Sequence, residues 1–304
     1  MRYQSYNSLN MVVDINLTPT ASHVDIVRTW EAADTGAEEL NRSLPARTWG
    51  TASECMAGAL LVHGLGAHSG WFEGFGRRLK VRRIYTVAYD QVGFGRRRQQ
   101  VFTSYNQWLD DINTAFDFVR ATIGEKPLYI MGNSMGAAVA LRAVSNGDIS
   151  PKGIVLMSPG FDGNWGAFTL PYRVRAICQA LTQPDTEIDL PYSTDLVTRD
   201  TSVRQWIKND PERRFRLPAR MLLELLKLTS DLASRSRKVR CPVLMLNAGV
   251  EKIVNTDVSD KLFNGLLCPK QRKIFTEAWH DLMFDPVIDE MTDGVVAWIK
   301  ETSR

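Results

Sequence analysis

Short, continuous apolar runs recur along the chain, separated by stretches of helical periodicity. Residues 59–62, 84–89, 128–131, 154–157, 243–246 and 273–276 are runs of this kind. Most suit strands of a parallel sheet buried on both faces better than strands with one wet face. Between them, residues 105–123 place Trp108, Ile112, Ala115, Phe116 and Val119 at amphipathic-helix spacing. Residues 137–144 read as a small-residue helix able to pack closely on a sheet, and helices at 258–266 and 287–299 follow later strands. This alternation predicts an α/β fold with a mostly parallel, doubly wound sheet and right-handed crossovers.

One stretch breaks the pattern. Residues 161–237 hold no convincing sheet strand but carry helical candidates at 172–181, 203–209 and 219–229, punctuated by Pro184, Pro191, Pro211 and Pro218. So long an insertion between two sheet strands is no simple connection. It is expected to be a helical lid over the carboxyl ends of the strands, where open α/β sheets bind ligands. The expected division is a polar, poorly ordered arm over 1–20, a core formed by 21–160 and 238–304, and the lid over 161–237. Two short strands are expected at 24–30 and 44–49, on either side of the acidic segment 31–39.

Composition removes several function classes. Lys plus Arg number 37 against 34 Asp plus Glu, a net charge of +3, so the whole molecule exerts no strong pull on nucleic acid or membrane. The four cysteines, Cys55, Cys178, Cys241 and Cys268, are widely spaced, which speaks against a disulfide scaffold and a Cys-x-x-Cys metal site. Four histidines leave little room for a histidine-rich metal cluster. No cysteine- or histidine-based metal site is expected. No apolar run reaches the ~18 residues of a membrane-spanning helix. Asp14 and Asn16 interrupt the apolar residues near the N-terminus, so a cytoplasmic location is the default expectation.

Gly132-Asn133-Ser134-Met135-Gly136 carries the chemistry. It has the form G-x-S-x-G between an expected strand and an expected helix, the setting of a nucleophile elbow. A sharp turn there lifts the serine hydroxyl out of the sheet, and the positions two residues away must be very small. The bland alternative is a glycine-rich turn with an ordinary serine. His63-Gly64-Leu65-Gly66 follows the strand at 59–62. There the glycines allow the Leu65 N–H to face an anion, with the Met135 N–H as second donor of an oxyanion hole. His63 itself is expected to be structural.

A serine nucleophile needs a base, and His280 follows the last expected strand, where the chain order Ser, acid, His puts it. The orienting acid should follow the strand at 243–246. Glu251 is chosen, with a loop acid paired to Lys252 as its alternative role. Asp257 is the rival and is expected to cap the helix at 258. Asp281 is set aside because sequence neighbours rarely reach each other's ring.

Four segments then carry a family resemblance: His63-Gly64-Leu65-Gly66-Ala67-His68-Ser69-Gly70-Trp71-Phe72, Tyr89-Asp90-Gln91-Val92-Gly93-Phe94-Gly95, the serine motif, and residues 249–254 with His280. The chain resembles an α/β-hydrolase of the monoacylglycerol lipase, lysophospholipase and serine aminopeptidase-like group. It departs from that group in three places. Asn133 and Ala137 stand where His and Gly are usual. Glu251 replaces the usual Asp. Arg96-Arg97-Arg98 replaces a small polar residue after Gly95. The resemblance implies cofactor-free hydrolysis of carboxylic esters, often those of monoacylglycerols or lysophospholipids, through an acyl-enzyme on Ser134. An acyltransferase with the same triad, or a ligand-binding protein on a hydrolase scaffold, are the alternatives.

Trp165, Phe168, Leu170 and Tyr172 are candidates to line an acyl site. The nearly all-apolar helix at 221–228 reads as buried lid, with a substrate-facing or membrane-facing helix as the alternative. Basic runs at 77–83, 96–98 and 213–216 read as solvated faces, or else as contacts with anionic lipid. The expected partner is a small acyl ester or lysolipid. Nucleic acid is not expected, and the oligomeric state is open.

Overall fold

The computed structural model describes residues 44–163 and 169–304. The arm at 1–20, the strand expected at 24–30, and Trp165 and Phe168 lie outside the described residues.

Seven strands form the central sheet: β1 (Ala46–Trp49), β2 (Ala57–Val62), β3 (Ile84–Tyr89), β4 (Leu128–Asn133), β5 (Gly153–Met157), β8 (Val243–Ala248) and β9 (Lys270–Phe275). Their order is β1-β3-β2-β4-β5-β8-β9. Only β1 pairs antiparallel, against β3; every other neighbouring pair is parallel. The continuous apolar runs follow from the two cores. Leu60 and Val62 of β2 enter one hydrophobic cluster, while Ala59 and Leu61 enter the other. Because successive side chains alternate between faces, both sets must be apolar.

Helices α2 (Asn106–Ile123) and α3 (Met135–Asn146) cover the first face, burying Trp108, Ile112, Ala137 and Leu141. Helices α1 (Glu73–Val81) and α9 (Ile288–Thr302) cover the second, burying Phe75, Leu79, Met291 and Trp298. Each fully buried side chain of this size contributes about 1.5–3 kcal/mol. Helix α8 (Thr256–Gly265) lies between β8 and β9 in the chain.

The lid lies between β5 and β8. Its described elements are α4 (Leu170–Thr182), α5 (Thr201–Asn209), α6 (Ala219–Thr229), the short α7 (Leu232–Arg235), and strands β6 (Glu187–Asp189) and β7 (Arg216–Pro218). The antiparallel β6–β7 ribbon is separate from the main sheet and was not expected. Three residues are too few to reveal a strand period, and the prolines flanking the ribbon read as loop.

Candidate active site

Ser134 stands where β4 turns into α3, at φ 52° and ψ −118°. This left-handed conformation costs a non-glycine residue about 1–3 kcal/mol and persists only where the surroundings enforce it. Here the Ser134 N–H donates to the Met157 carbonyl at 2.9 Å, and the Gly160 N–H donates to the Ser134 carbonyl at 3.0 Å. A Cβ on Gly132 would lie 2.4 Å from the Gly136 carbonyl oxygen, and one on Gly136 would lie 2.1 Å from that of Val62. The motif's two glycines are therefore dictated by direct backbone contact between strand, helix and the neighbouring β2.

Met135 opens α3, so its N–H has no acceptor within the helix. Leu65 lies in the turn after β2 and faces the same cavity as Ser134 and Met135. The Tyr192 hydroxyl of the lid donates to the Leu65 carbonyl at 3.2 Å, and the Arg214 N–H donates to the Gly66 carbonyl at 3.0 Å. Burial pushes the Tyr192 phenol up to about 12, so it remains a donor at neutral pH. His63 is a saturated loop residue. Its Nδ1 bonds the Gly64 carbonyl at 2.9 Å, and its Nε2 accepts the Gln91 N–H at 3.1 Å. Burial lowers its pKa to about 4, so it is neutral.

His280 Nδ1 lies 2.8 Å from Glu251 Oε2, with both side chains buried. The other Glu251 oxygen, Oε1, accepts the N–H groups of Ile253 at 2.7 Å and Val254 at 3.2 Å. Burial opposes the Glu251 charge, but His280 and these two donors hold its pKa below the ordinary value. Burial likewise opposes charge on His280, and the Glu251 carboxylate together with Asp281 more than offsets it, leaving the imidazole pKa raised. With Nδ1 bound to the carboxylate, Nε2 is the ring nitrogen left to exchange a proton.

Lys252 is not the partner of Glu251, since its ammonium lies 3.6 Å from the centre of the Trp279 ring. Asp257 is exposed on the first turn of α8, and Asn255 caps that helix, with its side chain accepting the Asp257 N–H at 3.0 Å. The expected Asp257 cap is thus corrected. The helix starts two residues earlier than apolar periodicity suggests, because Thr256 and Asp257 are polar.

An apolar cavity opens beside Ser134, Leu65 and Met135, walled by Phe161, Tyr172, Leu222, Leu225 and Leu226. Leu170 does not reach it. As the first residue of α4 it is 61% exposed, a helical step away from the inward face that Tyr172 and Ala176 share. The apolar helix α6 serves two purposes. Met221 and Leu228 are buried in the core, while Leu222, Leu225 and Leu226 face the cavity.

Most arginines of the basic runs are held in intramolecular ion pairs, many of them partly exposed. Arg78 pairs with Asp289 at 2.6 Å, Arg97 with Asp111 at 2.7 Å, and Arg214 with Glu187 at 2.6 Å. Arg96 pairs with Asp90 at 2.9 Å. None of the helices formed by the described residues is long and apolar enough to cross a membrane.

Two features escape sequence reasoning. Asn133 and Asp281 meet beside Ser134 and His280, and the only signal was the departure from the resembled group at 133. Asp162 and Arg173, paired at 2.8 Å, put opposite charges on the cavity wall.

A mostly parallel sheet of this order, with a serine on the strand-to-helix elbow and a helical lid between β5 and β8, is the architecture of an α/β-hydrolase. The family described as "Serine aminopeptidase, S33" matches residues 54–287, and the chain belongs to it. Among curated relatives, Phospholipase YtpA of Bacillus subtilis is 24% identical over 79% of this chain and 93% of its own length. Monoglyceride lipase of Homo sapiens is 24% identical over 82% of each chain. An abhydrolase domain-containing protein of Dictyostelium discoideum is 24% identical over 85% of this chain, which spans only 28% of that protein's length. The crystal structure of a soluble variant of monoglyceride lipase from Saccharomyces cerevisiae superposes with a TM-score of 0.79 at 18% identity, covering 86% of this chain and 92% of that one. The protein is therefore of a hydrolase family with the esterase–lipase fold.

Proposed function

We propose that the protein is a serine hydrolase of carboxylic esters, acting on acyl esters such as monoacylglycerols or lysophospholipids. The observation that carries this reading is the bond from His280 Nδ1 to Glu251 Oε2, 2.8 Å long, at a site whose elbow serine borders an apolar cavity. Ser134 Oγ attacks the ester carbonyl while His280 Nε2 takes its proton. The same nitrogen then protonates the departing alcohol, leaving an acyl group on Ser134. Water, deprotonated by His280, attacks the acyl carbonyl, and the same proton returns to Ser134 Oγ as the acyl–oxygen bond breaks and the acid leaves. The Leu65 and Met135 N–H groups receive the oxyanion, and losing one such donor typically costs about 3–4 kcal/mol of transition-state stabilisation. Glu251 fixes the imidazole tautomer and offsets its positive charge. No metal or organic cofactor is needed for these steps.

The apolar wall contributed by Leu222, Leu225, Leu226 and Phe161 supports an acyl chain as the bound part of the substrate. The names of the relatives, a phospholipase and a monoglyceride lipase, agree with that chemistry. The test is the rate of hydrolysis across p-nitrophenyl esters and monoacylglycerols of rising chain length, with Ser134→Ala as the blank. A maximum at medium or long chains is expected. Activity confined to the shortest esters contradicts an acyl-chain site, and turnover only with an added alcohol acceptor assigns acyl transfer instead.

A further inference from the structure

Asn133 is the last residue of β4 and immediately precedes Ser134; Asp281 immediately follows His280. Asn133 Nδ2 donates to Asp281 Oδ1 at 2.9 Å across 148 residues of sequence, and each residue is only 3% exposed. The Asp281 N–H donates to the Val197 carbonyl of the lid at 3.0 Å. Asp281 thus bonds the elbow through its side chain and the lid through its backbone, while its own peptide carries His280. A carboxylate accepts only, so the Asn133 amide must turn its NH₂ toward Asp281. That leaves the buried Asn133 Oδ1 without a hydrogen-bond partner. An unsatisfied buried amide oxygen costs about 1–3 kcal/mol, so the arrangement is not what packing alone selects.

We infer that Asn133 and Asp281 form a strap that sets the position of His280 relative to Ser134, with Asp281 a positioning residue that also places a second buried carboxylate beside the imidazole. The inference rests on the proposed roles of Ser134 and His280. The groups facing Asp281 are His280 and Glu251 at its side, Asn133 from the elbow, and Arg213 and Tyr192 from the lid. Burial pushes the Asp281 carboxyl up to about 6, so it is mostly ionised at neutral pH. Glu251 and Asp281 both favour the imidazolium, with Glu251 the stronger influence. The strap therefore supplies geometry through Asn133 and charge through Asp281, and the two contributions can be separated.

Asp281→Asn keeps an acceptor for the Asn133 amide and removes the charge. Asn133→Asp sets two carboxylates against each other. The double variant Asn133→Asp/Asp281→Asn restores the hydrogen bond with donor and acceptor exchanged. The readouts are Ser134-dependent ester hydrolysis against pH and an NMR titration of the His280 ring, assigned by its loss in His280→Gln. In Asp281→Asn the acid limb of kcat/KM and the His280 titration both move to lower pH, while KM stays within about twofold. Asn133→Asp lowers kcat about tenfold or more, and the double variant recovers most of that loss. An unmoved His280 titration in folded Asp281→Asn overturns the charge role, and a double variant no better than Asn133→Asp overturns the strap. If the wild type lacks Ser134-dependent turnover, the proposed function fails. The His280 titration in Asp281→Asn then still decides the charge role, and recovery of Tm in the double variant over Asn133→Asp decides the strap.

Discussion

His68 Nε2 lies 2.8 Å from Asp210 Oδ2, joining the turn after β2 to the lid through two side chains that are both buried. On the other side of the ring, Nδ1 is 2.9 Å from Glu212 Oε2 and 3.1 Å from the Gly70 nitrogen. The two Nδ1 contacts belong to different protonation states. A neutral ring accepts from Gly70, whereas a charged ring donates to Glu212. Asp210 also accepts the Trp71 indole N–H at 2.9 Å, so the lid holds this turn at several points.

The link from His68 to Asp210 and Glu212 has a definite pH dependence. Burial lowers the His68 pKa, but Asp210, Glu212 and Asp90 outweigh it and leave the pKa above 6.5. Its stabilisation is fully present below the unfolded value and is lost as pH rises through the folded value. Asp210 and Glu212, both lowered, withdraw theirs only under acid conditions. His68→Gln is expected to lower Tm most near neutral and mildly acidic pH, with the gap closing as pH rises. A gap that widens with pH contradicts the charged pair. Asp210→Ala, which removes the partner of the buried His68 Nε2 and the acceptor of the Trp71 indole, is expected to cost on the order of 3 kcal/mol in urea unfolding.

Glu251→Gln is expected to lower kcat by about 10²–10⁴-fold, while Asp257→Asn stays within about twofold. Without its carboxylate, His280 loses its main source of a raised pKa, so the acid limb of the rate profile moves to lower pH. Glu251 also contributes stability above 4.5 that is lost as pH falls through its lowered folded pKa. Steady-state kinetics of the two variants across pH checks both expectations. The reverse ranking moves the acid to Asp257.

Gly136→Ala is expected to destabilise the fold by about 3 kcal/mol or more, because the new Cβ would meet the backbone of β2 at 2.1 Å. Gly147→Ala is a useful contrast. It has open space for a Cβ but a φ of 85°, so its cost is backbone strain alone, about 1 kcal/mol. Urea denaturation of the two variants separates steric contact from conformational strain.

Leu226→Trp, in the cavity wall, is expected to lower kcat/KM for long acyl esters at least tenfold while sparing short ones. A uniform loss across chain lengths would place the acyl chain elsewhere.

What was legible in the sequence follows burial. β2, β4 and β5 sit mid-sheet, so both faces are apolar and their runs stand out. β9 is an edge strand reading Lys270-Gln271-Arg272-Lys273-Ile274-Phe275, and its partly exposed polar start hides half of its length. Helix α1 went unread because Gly74, Gly76 and the basic residues mask its buried Phe75 and Leu79. Gly76 is required there because the Trp49 ring would lie 2.4 Å from a Cβ. The elbow position of Ser134 and the pairing of Glu251 with His280 were legible because each residue follows a recognisable strand. The bond between Asn133 and Asp281 was not, since nothing local in either residue signals a partner so distant in the chain.

The most direct measurement is the location of the acyl group. The protein is mixed with a p-nitrophenyl ester of medium chain length, quenched in acid during the first turnovers, digested, and mapped by mass spectrometry. The acyl mass is expected on the peptide carrying Ser134, to accumulate with a burst of p-nitrophenol, and to be absent from Ser134→Ala, whose kcat falls about 10⁴–10⁶-fold. An acyl group on another residue, or turnover that survives Ser134→Ala, contradicts the account.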